Sequence, residues 1–204
     1  MPTPKLSNTI NKSFSAIDTL NGYRSDSRSL EAKYQFFIAE IIMLRLFSIM
    51  EDSISEMAFK IAAGAKYLNE TSPTLLCKAN SVAGSRTLML NYGRTKPIQN
   101  LKWTKSKHIK DSVEHVIDIN NGYILYAQIH GAVIDEMRKV RNYIAHKSQS
   151  SKNDYKCVVR QTFGANSKIV PGAFLTSNKR SNTSKIDYYI MTSKIILNDM
   201  AKGL

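Results

Sequence analysis

Cysteine is scarce in this chain of 204 residues: Cys77 and Cys157 stand alone, with no CxxC and no histidine beside either. That pattern excludes a disulfide scaffold and a zinc ribbon, and it fits a reducing compartment. Nine glycines and five prolines are too few for collagen-like or proline-rich material. Residues 1–13 lack the continuous apolar run of a secretory signal. The most apolar stretch, residues 36–50, is broken by Glu40 and Arg45, and is too short and too charged for a bilayer span. A soluble, cytoplasmic protein without membrane association is expected. The most telling shortage is of acids: 16 Asp and Glu stand against 29 Lys and Arg, a formal net charge of +13.

The acids are missing in blocks. Residues 71–110 contain none, yet carry Lys78, Arg86, Arg94, Lys96, Lys102, Lys105, Lys107 and Lys110. Residues 141–185 contain only Asp154 against nine Lys and Arg. Blocks of one sign create a potential that attracts polyanions. Nucleic acid, gripped by its phosphates, is the commonest such partner. A merely solubilising surface is the alternative. An anionic membrane is disfavoured, because no basic amphipathic helix of high moment is visible.

What the chain does have is helical periodicity, and a 43 % hydrophobic fraction large enough for a core of its own. From Leu30 the apolar residues recur at Tyr34, Phe37, Ile41, Leu44, Phe47, Met50, Ile54, Met57, Ile61, Ala65 and Leu68, in steps of three or four. This reads as one long helix or two in tandem, with Ser27 or Ser29 as N-cap and Gly64 as a bend or break. A weaker helix is expected over residues 6–20. Short helices are expected over 75–83, after Ser72-Pro73, and over 85–91, with a loop over 93–100. A helix over 104–119 should bury Ile109, Val113, Val116 and Ile117, and Asn120-Asn121-Gly122 should stop it. One helix over 123–146 should bury Tyr126, Ile129, Val133, Met137, Val140 and Ile144. Residues 148–154 read as a break, 155–175 as a small hairpin or irregular loop, and 177–184 as a polar, mobile loop. A last helix over 185–200 should bury Ile186, Tyr189, Ile190, Ile196, Leu197 and Met200. The fold expected is all-α: a single-domain bundle of four or more helices over residues 1–204, with basic loop insertions.

The informative segment is Arg138 to Lys147, RKVRNYIAHK. On a helical wheel with Val140 at zero, the core stripe centres near roughly 30°, Asn142 near roughly 200° and His146 near roughly 240°. Asn142 and His146 therefore face away from the core, on the side of Gly131, Asp135 and Arg138. Arg141 flanks that side and its long stem can reach over it. Gly131 leaves room for another helix to approach. An ordinary helix end is the competing explanation, since the dipole favours cations in a last turn. Chance would produce Arg-Asn-x-x-x-His in about one chain in a hundred of this length, which argues against it.

Arg141-Asn142-x-x-x-His146 resembles the R-x(4–6)-H motif of the HEPN superfamily, and RNYIAH is close to the RN-x-x-AH form of several branches. The all-α layout is similar too, with the motif near the end of a late helix. The resemblance implies a helical domain that forms a homodimer, two motifs facing one groove. It further implies a metal-independent endoribonuclease of toxin–antitoxin or defence type, with an antitoxin or defence-system protein as a further partner. The branch paired with nucleotidyltransferases carries a Tyr two residues after the His, where this chain has Ser148. A longer chain with a diverged insert is nearer the RiboL-PSP-like group.

The residue types suit that chemistry. RNA carries its own nucleophile, the 2′-hydroxyl. His146 can move a proton near neutral pH. Arg141 supplies a fixed planar cation to the phosphate, and Asn142, one turn before His146, can orient the imidazole or bond a phosphate oxygen. No cofactor is required. His108, His115 and His130 form no metal-ligand spacing, and His130 reads as structural. Lys102, Trp103, Lys105 and Lys107, with Arg138 and Lys147, are candidate RNA contacts, Trp103 either stacking a base or packing under a solvated charge run. A non-catalytic HEPN-like nucleic-acid-binding or regulatory module is the rival reading, and a structural subunit the third.

Overall fold

The structure is a computed structural model that describes residues 3–164, 168–178 and 182–204. It is all-α. The helices are α1 (Leu6–Ser27), α2 (Ala32–Ala62), α3 (Val82–Asn91), α4 (Ser106–Val113), α5 (Gly122–Ile129), α6 (Gly131–His146), α7 (Gln149–Phe163), α8 (Pro171–Thr176) and α9 (Lys185–Lys202). Among the described residues the strand-like pairing is confined to one isolated bridge, Leu75 to Ile117. No helix there is long and apolar enough to cross a membrane. The chain forms two compact units, whose boundaries fall inside α1, α2, α6 and α9.

Unit 1 comprises Met1–Phe14, Met50–Ile134 and Ile195–Leu204. Its interior is built from Ile54, Met57 and Ile61 of α2, Ile109 and Val113 of α4, Tyr123 and Ile124 of α5, and Leu197 and Met200 of α9, none more than 1 % exposed. Hydroxyls pin the apolar layers: Tyr123 Oη donates to the Ile54 carbonyl at 2.9 Å, and the Ser13 and Ser53 hydroxyls lie 2.6 Å apart. Burial pushes the Tyr123 hydroxyl well above its ordinary pKa, and the neighbouring Tyr67 adds to the shift.

Unit 2 comprises Ser15–Ile49 and Asp135–Lys194. Its core joins Ile42, Met43, Leu46 and Phe47 to Met137, Val140, Val158, Phe174 and Tyr189. The short helix α8 is seated by backbone contact: the Gly172 N–H donates to Glu40 Oε1 at 2.9 Å, and a Cβ at Gly172 would lie 2.4 Å from Phe36 Cβ. Only glycine fits that approach.

Several expectations are corrected. α1 runs to Ser27 rather than residue 20, so Ser27 ends α1, and its hydroxyl donates to the Arg24 carbonyl rather than capping α2. Ser29 likewise donates to the Asp26 carbonyl. Leu30, just before α2, and Tyr34, Phe37 and Ile41 on it do not enter the core; Phe37 is 63 % exposed, while Ala39, Ile42, Met43 and Leu46 are buried. Residues 36–50 are apolar on nearly every side, so periodicity alone could not select the inward face. The stripe from Phe47 to Ile61 is buried as expected. Gly64, with φ +90°, does end the segment.

No separate helix forms over 75–83: residues 75–81 are non-helical, and 82–83 open α3. Leu76 instead donates its N–H to the Val116 carbonyl, and Asp118 to the Thr74 carbonyl. The same pairing ends α4 at Val113, short of residue 119, although Ile109, Val113, Val116 and Ile117 are all buried. The helix expected over 123–146 is two helices that meet at His130, and Ile129 is 68 % exposed as a result. Ser148 does not break a helix but caps α7, its hydroxyl accepting the Ser151 N–H. Most of 155–175 is helical, not a hairpin; residues 165–167 of that stretch lie outside the described residues, as do 179–181 of the polar loop. α9 and its buried stripe are as expected.

Candidate functional site

The site is carried by α6, and both helix ends have definite causes. At its start, His130 takes φ −86° and ψ 5° and its Nε2 lies 2.8 Å from Asp199 Oδ2. Gly131 follows, and a Cβ there would lie 2.7 Å from Ser106 Oγ. The room that Gly131 leaves is therefore filled by α4 of the same chain rather than by a partner helix. At the other end, Lys147 adopts the left-handed conformation, φ +48°, and donates its N–H to the Tyr143 carbonyl at 3.1 Å. A residue in this conformation closes a helix, although glycine is the usual choice. α7 begins two residues later.

Between these ends lie the charged side chains. Arg138 places Nε and Nη2 at 3.0 and 2.9 Å from Asp135 Oδ1, and Lys139 Nζ sits 2.8 Å from Asp135 Oδ2. Burial disfavours the ionised form of Asp135, but hydrogen bonds from Lys139 and Arg138 outweigh it and hold the carboxyl below its ordinary range. Arg138 therefore already serves a carboxylate, unlike the solvent-facing cation that a phosphate contact needs.

Arg141 donates from Nη1 to Asn142 Oδ1 at 3.1 Å, and its guanidinium carbon stands 5.7 Å from the Phe47 ring centroid. Arg141 and His146 start about 140° apart around the helix. The bond to Asn142 joins the guanidinium to a side chain that starts on the same helix face as His146. His146 is one turn further on, about 6 Å along the axis. It is exposed, and among the described residues no hydrogen bond or ion pair holds its ring. Lys147 is exposed as well. The arrangement offers a cation seated on an aromatic ring, an amide beside it, and an imidazole open to solvent. Such a set can bind a phosphate and exchange a proton with a bound hydroxyl.

The other predicted contacts lie in unit 1. Lys102, Lys105 and Lys107 border a cleft of about 770 Å³, together with Arg94, His108 and Asp111. Trp103 is not part of that lining. It is half-buried, with its ring edge against Phe59 at 5.7 Å between centroids. Two features escaped the sequence reading. Arg94 is a clamp, donating to the carbonyls of Met89, Asp111 and Ser112. His130 and Asp199 are 69 residues apart and no local pattern joins them. Among the described residues, no group of three or more His, Cys, Asp or Glu side chains is placed to hold a metal ion.

Comparison with protein-family models, with curated proteins and with solved structures finds no match for this chain.

Proposed function

We propose that this protein is an endoribonuclease of the HEPN type, a toxin or defence effector of the cytoplasm that works as a homodimer with a groove shared by two copies. The observation that carries the reading is the Arg141–Asn142 bond with the open His146 one turn beyond it. In the proposed reaction a 2′-hydroxyl oxygen attacks the adjacent phosphorus while the bond from phosphorus to the 5′-oxygen breaks. His146 of one copy takes the 2′ proton and His146 of the second copy gives a proton to the 5′-oxygen. The Arg141 guanidinium faces the charge that gathers on the phosphate oxygens, and Asn142 keeps that guanidinium in place. The products are a 2′,3′-cyclic phosphate and a 5′-hydroxyl.

The test is cleavage of a mixed RNA pool in EDTA, followed on a gel with circular dichroism alongside. The parent is expected to cut. His146→Ala is expected to lose about 10²–10⁴-fold in rate while staying folded, because the side chain is exposed. Arg141→Ala is expected to lose about 10²–10³-fold. Its contact with Phe47 makes Arg141→Lys the better control for packing. A folded His146→Ala protein that cuts like the parent sinks the mechanism. A parent that binds RNA without cutting it makes the non-catalytic module the better reading. Sedimentation at micromolar concentration checks the homodimer, and an active strict monomer removes the shared groove.

A further inference from the structure

The three lysines of the unit 1 cleft differ from the ion-paired lysines of this protein. Lys60, Lys66, Lys110, Lys139, Lys185 and Lys194 each lie within reach of a carboxylate. Lys102, Lys105 and Lys107 have no ion pair among the described residues, and the single acid in the cleft lining is Asp111. Arg94 adds a further positive charge, and among the described residues its hydrogen-bond partners are backbone carbonyls and not acids. Like charges that line one cleft repel each other, and a polyanion placed there relieves that repulsion.

The cleft is also built, not a loose charge run. Arg94 ties the loop that follows α3 to the last turn of α4. Ser112, 3 % exposed, receives the Lys102 N–H at 3.0 Å and donates to the Lys102 carbonyl at 3.1 Å. Thr104 Oγ1 lies 3.2 Å from His108 Nδ1, and Trp103 wedges its ring against Phe59. The backbone that carries the lysines is thus fastened on both sides. Holding cations in place before a ligand arrives lowers the entropic cost of binding. The first turn of α4, which carries Lys107 and His108 of the lining, has no side-chain cap at Lys105, and the positive end of the helix dipole adds to the field there.

We infer that this cleft binds the phosphates of a single-stranded RNA, with Lys102, Lys105 and Lys107 as the three contacting cations and Arg94 as a fixed background charge. The inference rests on the RNA reading above and assigns a second contact region for that substrate. Because Trp103 packs against Phe59 and stays out of the lining, the cleft grips backbone rather than stacking bases. Binding there is accordingly salt-driven and tolerant of sequence.

The experiment uses the full-length protein and a fluorescent, single-stranded 2′-O-methyl oligonucleotide, which lacks the nucleophile and cannot be cut. Anisotropy is measured across a series of KCl concentrations for the parent, for Lys102→Ala/Lys105→Ala/Lys107→Ala, and for a charge-matched control, Lys12→Ala/Lys152→Ala/Lys202→Ala. The cleft triple is expected to weaken binding about a hundredfold at 0.1 M salt, and to flatten the slope of log K against log salt by about 2. The control is expected to stay within about twofold to fivefold of the parent, as diffuse charge alone allows. Unchanged affinity and slope in the cleft triple overturn the inference, as does an equal loss in the control or a parent that binds no oligonucleotide. Failure of the catalytic reading looks different: His146→Ala would cut RNA as the parent does, whatever the cleft variants show.

Discussion

In unit 1, Lys102, Lys105 and Lys107 stand around a cleft with no ion pair among the described residues; in unit 2, Arg138 and Lys139 share Asp135, and Lys185 reaches Glu136 at 2.7 Å. Both regions belong to segments that are rich in Lys and Arg. The difference lies in where the few acids sit. Asp135 precedes Arg138 and Lys139 by three and four positions, so one helix turn brings them together. Glu136 is gathered from α6 by folding, and also accepts the Tyr189 hydroxyl at 2.6 Å. Among the described residues no such ion pair reaches Lys102, Lys105 or Lys107, although Lys60, Lys66 and Lys110 of the same unit each have one. Net charge over a segment therefore says little about which cations are available to a ligand, and pairing within the fold says much more.

Arg94 tests that contrast most severely, because it lies in the basic segment yet does structural service. Arg94→Ala removes three hydrogen bonds from a charged donor and leaves three half-buried carbonyls short of a partner. A loss of about 2–4 kcal/mol in urea unfolding is expected. Arg94→Lys should recover little of it, since one ammonium cannot span carbonyls on both sides as a planar fork does. If Arg94→Ala unfolds like the parent, the cleft has no built frame, and the distinction between clamp and ligand cation fails.

Asp135 sharpens the contrast from the paired side. Its carboxyl is held below the ordinary value despite burial, so its contribution is fully present above the unfolded pKa and is lost as pH falls through the folded one. Asp135→Asn is expected to cost about 0.5–1 kcal/mol at pH 7, in line with two helical ion pairs that are part-exposed. The cost should shrink below pH about 4, where the parent carboxyl itself takes up a proton. Thermal melts of both proteins across pH 2.5–7 give the comparison. A gap that stays constant through the acid range would show that Asp135 acts by packing and not by charge.

The helical class and the apolar interior of the later chain were legible in the sequence, because spacing of three and four residues is a direct consequence of helix geometry. Ile109, Val113 and the α9 stripe follow that rule. Where it failed, two partners of similar local merit competed. Phe37 and Ile42 are equally apolar, and only the packing of unit 2 decides which turns inward. The break at His130 was hidden because Tyr126, Ile129 and Val133 continue an unbroken register; the pairing with Asp199 and the approach of Ser106 to Gly131 are long-range facts. α7 was missed because small polar residues open it, and a serine that looks like a breaker can be an N-cap. At the candidate site, the position of Asn142 and His146 on one face was readable from the wheel. The Arg141 bond to Asn142 and its seat on Phe47 were not, since a long side chain has many rotamers and only its neighbours choose among them.

The smallest expected effect is the most discriminating. Lys102→Ala, Lys105→Ala and Lys107→Ala, made singly, break no ion pair, and Lys102 and Lys107 are exposed. Each substitution also relieves repulsion among the remaining cleft cations and Arg94. Stability in urea at low salt is therefore expected to stay within about 0.5 kcal/mol of the parent, with any shift toward greater stability. Added salt should shrink that gain, because screening already removes the repulsion in the parent. A surface kept for solubility alone would show no such dependence on salt, since scattered charges lie too far apart to repel measurably. A loss above about 1 kcal/mol in any of the three would instead mean that the lysine stem is holding the loop, and the cation would move to the structural side of the comparison.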